Sequence, residues 1–273
     1  MPQTLMNRVR SLQSYLRTRT CQQSPDPLGA FVIDGHTVGQ LIPRIMSVLR
    51  QDPVLAQYLE ETKQNTFRLI APSTPSARAH TLDKVTLRLE VLGMTQQRRN
   101  EKLDILTEEG LTIAQAERSV FRTLGLSTRV VRLIAITPDG RFWLQRRSPN
   151  KPIGPGLWDN LAAGMMSEGE TSLTAMIREL REEAGIDADL QSLKPLPALD
   201  FDCQYLVPEG WMRERTASFL LTVPSEVTPT NLDGEADSFA CFTVHQLLDL
   251  IEADRLMPEA ARLLVTGIIA RCF

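Results

Sequence analysis

The sequence predicts an α/β protein in two parts, a small α+β N-terminal domain over residues 1–125 and an α/β or α+β sandwich over residues 126–273. Three observations predict it. The length of 273 residues is long for one ordinary domain and short for three. Near 124–128 the texture changes to runs richer in β-branched and aromatic residues. Beyond that point strands bracket one amphipathic helix, and two further helices close the chain.

The elements follow in order. In "MPQTLMNRVRSLQSYLRTRT" the apolar residues Leu5, Val9, Leu12 and Leu16 recur at helical spacing, which is the pattern of an amphipathic helix and not of a signal-peptide core. "AFVIDGHTVGQLI" sets two β-type runs around Asp34-Gly35, a hairpin signal. Pro43 and Pro53 punctuate two predicted short helices, "RIMSVLR" and "VLAQYLEE". In "TLDKVTLRLEVLG", Leu82, Val85, Leu89 and Leu92 share a face and Gly93 can end the helix. "TRVVRLIAIT", the turn "PDG" and "RFWLQRRS" make a second hairpin. "PALDFDCQYLV", "ERTASFLLTV" and "DSFACFTV" each suit a strand. "VHQLLDLIEA" and "MPEAARLLVTGIIARCF" read as helices, the second with Pro258 in its first turn.

Composition removes several function classes. Hydrophobic and charged fractions of 42% and 23% match soluble globular usage. A formal net charge of -3 gives no electrostatic footprint for nucleic acid. Cys21, Cys203, Cys241 and Cys272 lack CxxC spacing, so reduced thiols are expected in place of a zinc site or a disulfide framework. His36, His80 and His245 form no ligand spacing. No apolar run reaches the roughly 18 residues of a membrane span. The expectation is a cytoplasmic protein with a small-molecule substrate, no nucleic-acid or membrane partner, and a homodimer left open.

The chemistry concentrates in "GMMSEGETSLTAMIRELREEAGI", residues 164–186. A loop with Gly164 and Gly169 becomes helical near Thr171. At about 100° per residue, Leu173, Met176, Ile177 and Leu180 form one stripe, while Glu179, Glu182 and Glu183 cluster elsewhere. Like charges at these spacings cost a few tenths of a kcal/mol per pair. A hard divalent cation such as Mg²⁺, with Mn²⁺ a substitute, would compensate, because it takes oxygen ligands and joins carboxylates to substrate phosphates. A bare "ELREE" is also common on solvated helices, with Arg178 and Arg181 in ordinary surface pairs.

The wider spacing decides between these. The stretch fits G-x5-E-x7-R-E-U-x-E-E-x-G-U, with U a bulky aliphatic, at Gly164, Glu170, Arg178, Glu179, Leu180, Glu182, Glu183, Gly185 and Ile186. Its seven specified residues match by chance on the order of once in 10⁹ starting points at average usage. The chain therefore resembles the Nudix hydrolases, which cleave a diphosphate linked to some moiety X. The resemblance implies an α/β/α sandwich. It also implies Glu179, Glu182 and Glu183 as Mg²⁺ ligands with the Gly164 carbonyl a further one, Arg178 orienting the carboxylates, and Glu170 steadying the loop.

A base must accept a proton from the attacking water. Glu182 or Glu183 serves within the motif, and Glu235 of "NLDGEADSF" is a candidate outside it, although acids are common in such turns. In "RRSPNKPIGPGLWDNLAAG", Arg147 and Lys151 are candidates to meet phosphates, and Trp158 either packs on an organic ring of the substrate or fills core. "FVIDGHTVGQLIPRIMSVLR", "RRNEKLDIL" and "DGEADSF" resemble two-part Nudix proteins linked to thiamine metabolism, which implies conversion of oxy and oxo forms of thiamine diphosphate to monophosphates. An added domain would then serve substrate recognition or dimerisation. The alternatives are an ADP-ribose or dinucleotide pyrophosphatase, an isopentenyl-diphosphate isomerase, whose expected cysteine motif "WDNLAAGMM" lacks, and a non-catalytic Nudix ligand sensor.

Overall fold

The first helix shows why this chain folds as it does. In the computed structural model, which describes residues 3–189 and 191–272, α1 (Gln3–Thr20) buries the predicted stripe of Leu5, Val9, Leu12 and Leu16. Met1, Pro2 and Phe273, the outer ends of the first and last predicted helices, lie outside the described residues.

The N-terminal region is built on a four-stranded sheet of β1 (Gly29–Ile33), β2 (His36–Leu41), β3 (Leu59–Lys63) and β4 (Thr66–Leu69), in the order β2-β1-β4-β3. Asp34 and Gly35 take positive φ, which closes the predicted β1–β2 hairpin. Helices α2 (Pro43–Gln51) and α3 (Pro75–Val91) cover the sheet, with Ile45, Met46, Leu49, Leu82, Val85 and Leu89 in the shared core. Thr74 caps α3 by accepting from the Ala77 amide, so this helix starts earlier than its apolar stripe predicts. A ribbon of β5 (Lys102–Leu106) and β6 (Thr112–Glu117) packs beside α3.

The predicted helix "VLAQYLEE" is corrected. Only Leu55–Gln57 makes one tight 3-10 turn, and Leu59 onward is strand. Asn65 at φ 63° turns the chain so that β3 pairs antiparallel with β4, and this tertiary pairing overrides the local helical spacing.

The second part is centred on an eight-stranded sheet. Its main path is β11 (Lys194–Pro195), β13 (Gly210–Thr222), β7 (Ser127–Ile136), β8 (Phe142–Arg147) and β14 (Ala236–Phe242), with β9 (Trp158–Asn160), β10 (Ala163–Met165) and β12 (Phe201–Val207) alongside. Strand β13 runs parallel to β7, from Arg213 beside Ser127 to Thr222 beside Ile136. The stretch "PAL" of the predicted strand at 197–207 is instead a 3-10 turn, led by Pro197, before β12 begins.

Alternation along β7 divides the layers. Val131, Leu133 and Ala135 pack toward α4 (Ser172–Ala184), and Ile134 packs toward α5 (Val244–Glu252) and α6 (Pro258–Ala270). The result is an α/β/α sandwich. Helix α1, which sequence order groups with the first 125 residues, is packed in this second part: its stripe meets Leu247, Leu263 and Leu264. Each fully buried aliphatic side chain there is worth about 1.5–3 kcal/mol, enough to fix the helix on that layer.

Candidate active site

Helix α4 begins at Thr171, whose side chain accepts from the Thr174 amide, and ends at Gly185 with φ 63°. Met176 and Leu180 are buried against the sheet. That orientation turns Glu179, Glu182 and Glu183 toward a cleft. Glu183 is 4% exposed, and both Gln145 Nε2 and the Ala163 amide donate to its Oε2 at 2.9 Å. Burial, reinforced by the Glu179 charge, pushes its carboxyl up to about 8. Burial also raises Glu179, against the pull of Arg178. Glu182 is exposed.

Arg178 holds the group together. Its Nε and one terminal nitrogen donate to Glu170 at 2.7 and 2.8 Å, and the other terminal nitrogen donates to Glu179 at 2.7 Å and Glu182 at 3.1 Å. It also donates to the Met165 carbonyl at 3.0 Å, so the motif loop and helix are joined through one guanidinium. These bonds hold the Glu170 carboxyl below its usual range. Gly164 has a spatial reason to lack a side chain: a Cβ there would fall on the Glu179 carboxylate.

The predicted outlying acid does reach the motif. Carboxylate oxygens of Glu183, Asp233 and Glu235 lie within 4.8 Å of one another. Lys151 Nζ pairs with Glu235, and burial lowers the lysine pKa while the Glu183 charge opposes that shift. Arg147 lines the same cleft but already donates to Asp159 at 2.9 Å. Trp158 is a correction: its ring stands edge-on to Phe242 at 4.8 Å, joins the α5–α6 core and does not line the cleft. Its size was better used in packing than at a ligand.

Sequence reasoning missed Asp233, Gln145 and Asp159. Asp233 had a signal, being the other acid of the Asp-Gly-Glu turn. Gln145 and Asp159 had none, because only strand pairing between β8 and β9 sets them side by side.

The cleft has a volume of about 1280 Å³ and reaches well past the motif. Gln96, Arg98, Arg99, Arg118 and Arg122 of the N-terminal region line one side. Backbone and side-chain bonds tie that region to the motif loop: Glu168 N to the Lys102 carbonyl and Gly169 N to Asp104, each at 3.0 Å. Strand β5 therefore braces the loop that precedes α4.

Chemically, buried carboxylates that repel one another, beside a backbone free of a side chain at Gly164, form an oxygen-rich donor set suited to a hard divalent cation. Neighbouring Lys151 and Arg147 suit an anionic substrate. None of the described helices is long and apolar enough to cross a membrane.

Comparison with known proteins agrees with this geometry. The NUDIX domain family matches residues 126–264. A Nudix hydrolase of Deinococcus radiodurans is 27% identical over 176 residues, 64% of this chain and 95% of that protein. Nudix hydrolase 24, chloroplastic, of Arabidopsis thaliana is 24% identical over 262 residues, 92% of this chain and 70% of that protein. An isopentenyl-diphosphate Delta-isomerase of Serratia proteamaculans is 28% identical over 150 residues, 55% of this chain and 80% of that protein.

Proposed function

The chain belongs to the Nudix family, as a hydrolase acting on phosphoanhydride bonds, and from that premise we propose that it converts a small organic diphosphate to its monophosphate, with oxy and oxo forms of thiamine diphosphate as the leading substrates. The observation that carries the reading is the convergence of Glu179 and Glu183 with Lys151, Asp233 and Glu235 in one cleft walled by the N-terminal region. The similarity to the Arabidopsis protein, which extends over 92% of this chain, supports a two-part enzyme.

Nudix hydrolases use divalent metals, and Mg²⁺ is proposed here, with Mn²⁺ as its substitute. The donor set of Glu179, Glu182, Glu183 and the Gly164 carbonyl would hold it. When bound, such an ion neutralises phosphoryl oxygens and lowers the pKa of a water. The chain's own residues supply the rest. Arg178 fixes the carboxylate positions, and Lys151 and Arg147 meet the outer phosphate. Glu182, Glu183 and Glu235 are the proposed proton acceptors. Among them Glu235 is distinguished by its Lys151 partner, which would keep it aimed into the cleft. The N-terminal region, through Gln96–Arg99 and Arg122, would enclose the X group.

The test is product analysis with Mg²⁺, offering oxythiamine diphosphate, oxothiamine diphosphate, thiamine diphosphate and ADP-ribose side by side, with Glu183→Gln as control. Preferential formation of the damaged thiamine monophosphates, lost in the control, supports the proposal. AMP from ADP-ribose with the thiamine compounds untouched moves the enzyme to the ADP-ribose or dinucleotide pyrophosphatases. Ligand binding without turnover across a wider diphosphate panel would make it a sensor. The isomerase reading has no cysteine along the cleft among the described residues to support it.

A further inference from the structure

The loop of residues 166–170 lies between β10 and α4 and belongs to neither, so its backbone donors need partners from elsewhere. The Met166 amide donates to the Arg129 carbonyl at 2.9 Å, and the Ser167 amide donates to the Glu170 carboxylate at 2.8 Å. The next two amides are satisfied by the N-terminal region. Glu168 donates to the Lys102 carbonyl and Gly169 to Asp104 Oδ2, each at 3.0 Å. Two consecutive donors of the motif loop thus end on β5, a strand outside the motif.

Asp104 is 8% exposed and engaged on both oxygens. Gln115 Nε2 donates to Oδ1 at 3.2 Å across the β5–β6 pair, and a terminal nitrogen of Arg129 donates to Oδ2 at 2.8 Å. Arg129 is on β7, and its carbonyl is the one that holds Met166. One buried carboxylate therefore joins the N-terminal ribbon, the sandwich and the motif loop. Because the acceptor carries a charge, its bond to the Gly169 amide is roughly twice as strong as a neutral one.

That order reaches the carboxylates of α4. Glu170 follows Gly169 directly, and Arg178 grips its two oxygens at 2.7 and 2.8 Å. The same guanidinium donates to Glu179 and Glu182. A loop released from Asp104 would let Glu170 and Arg178 shift together, and the acids would lose the fixed spacing that Mg²⁺ demands of its ligands.

We propose that Asp104 is a positioning residue for the hydrolytic site. Through the Gly169 amide, Glu170 and Arg178 it sets Glu179 and Glu182 for a divalent cation, so the N-terminal region acts on metal binding as well as on the X group. The assignment rests on the hydrolase reading only for what the metal does.

Calorimetric titration of the full-length protein with Mn²⁺, without substrate, tests it. Asp104→Ala should weaken Mn²⁺ binding about 10-fold, the lower end of what loss of an outlying support costs a metal site. Asp104→Asn keeps an oxygen for the Gly169 amide and should stay within about 3-fold of the native affinity. In steady-state assays the alanine variant should need more Mg²⁺ for half-maximal turnover, while substrate KM at saturating Mg²⁺ stays native. A residue that only fastened the two parts together would lower the melting temperature and move neither metal constant.

Linkage gives a second test in the native protein, which serves if the alanine variant does not fold. Metal must tighten the loop by the factor with which the loop tightens metal, so hydrogen exchange at the Glu168 and Gly169 amides should slow about 10-fold at saturating Mg²⁺. Native Mn²⁺ affinity in folded Asp104→Ala, an equal loss in Asp104→Asn, or exchange indifferent to metal overturns the proposal. The coupling in a protein that hydrolyses no diphosphate keeps Asp104 in its role and refutes the hydrolase reading. Mg²⁺-dependent hydrolysis without the coupling does the reverse.

Discussion

Replacing Gly164 by alanine should weaken metal activation while leaving the fold in place. The backbone at Gly164 is not in the left-handed region, so alanine adds no backbone strain, and the atoms nearest the added methyl are those of the Glu179 carboxylate. That carboxylate has little room to retreat: its side chain is 13% exposed and is held by Arg178 at 2.7 Å. It must rotate and release the arginine, which removes one proposed ligand and loosens the support of another. Loss of such support costs about 10–100-fold in metal affinity, or about 1.4–2.7 kcal/mol. The Mg²⁺ dependence of phosphate release, with calorimetric metal titration and a thermal melt, measures it. Glu179→Asp in the Gly164→Ala background should recover part of the loss, since the shorter side chain restores clearance. An unchanged Mg²⁺ activation constant in a protein of native melting temperature would refute the reasoning.

Arg178→Lys keeps the charge but loses the fork that joins Glu170, Glu179 and Glu182, so kcat/KM should fall about 10–100-fold, with partial recovery at high Mg²⁺ in a steady-state assay. Glu235→Gln should lower kcat by about 10²–10⁴ if this residue is the base; a near-native single-turnover rate would assign the role to Glu182 or Glu183. Leu16→Ala, 2% exposed in the α1–α6 layer, should cost about 2–4 kcal/mol in denaturant unfolding. Asp52 accepts from the Val54 and Leu55 amides and pairs with Arg88, whose hydrogen bonds lead in holding its carboxyl below the usual range. Its contribution is therefore complete above the unfolded carboxylate pKa of about 3.9 and is lost as pH falls through the lower folded value. Asp52→Asn should cost about 1–2 kcal/mol at neutral pH, with the gap to the native protein closing in acid melts.

The α4 site was legible because its spacing is set within one helix: Glu179, Glu182 and Glu183 share a face wherever that helix packs. Arg178 was legible for the same local reason, whereas Gly164, on β10, was marked only by its fixed place in the motif. The acids across the cleft were legible only in part, since Glu235 is marked by its turn but its approach to Glu183 depends on the long return from β13 to β14. The part of the cleft lined by Arg132, Tyr205, Glu214 and Glu259 was not legible at all. Its members come from three strands and a terminal helix, and nothing local distinguishes Glu259 from any acid in a first turn. Trp158 shows the converse, a residue conspicuous in sequence whose ring the fold spends on Phe242. The strand at Leu59 was misread because apolar residues at Leu55, Tyr58 and Leu59 fit a helix until Asn65 folds the next strand back.

The docking of α1 on α6 has a consequence for how the molecule is made. Helix α1 finds its partner in α6, more than two hundred residues later in the chain. At ordinary elongation rates of about 5–20 residues per second, the stripe of Leu5, Val9, Leu12 and Leu16 waits on the order of tens of seconds for its cover. During that interval the sheet of β1 to β4 can form, tethered between a helix without a home and a sandwich not yet built. The segment that walls the cleft is thus topologically an insertion within the layer that α1 and α6 form together, and a substitution in α1 would act on the yield of folded enzyme before it acted on any turnover.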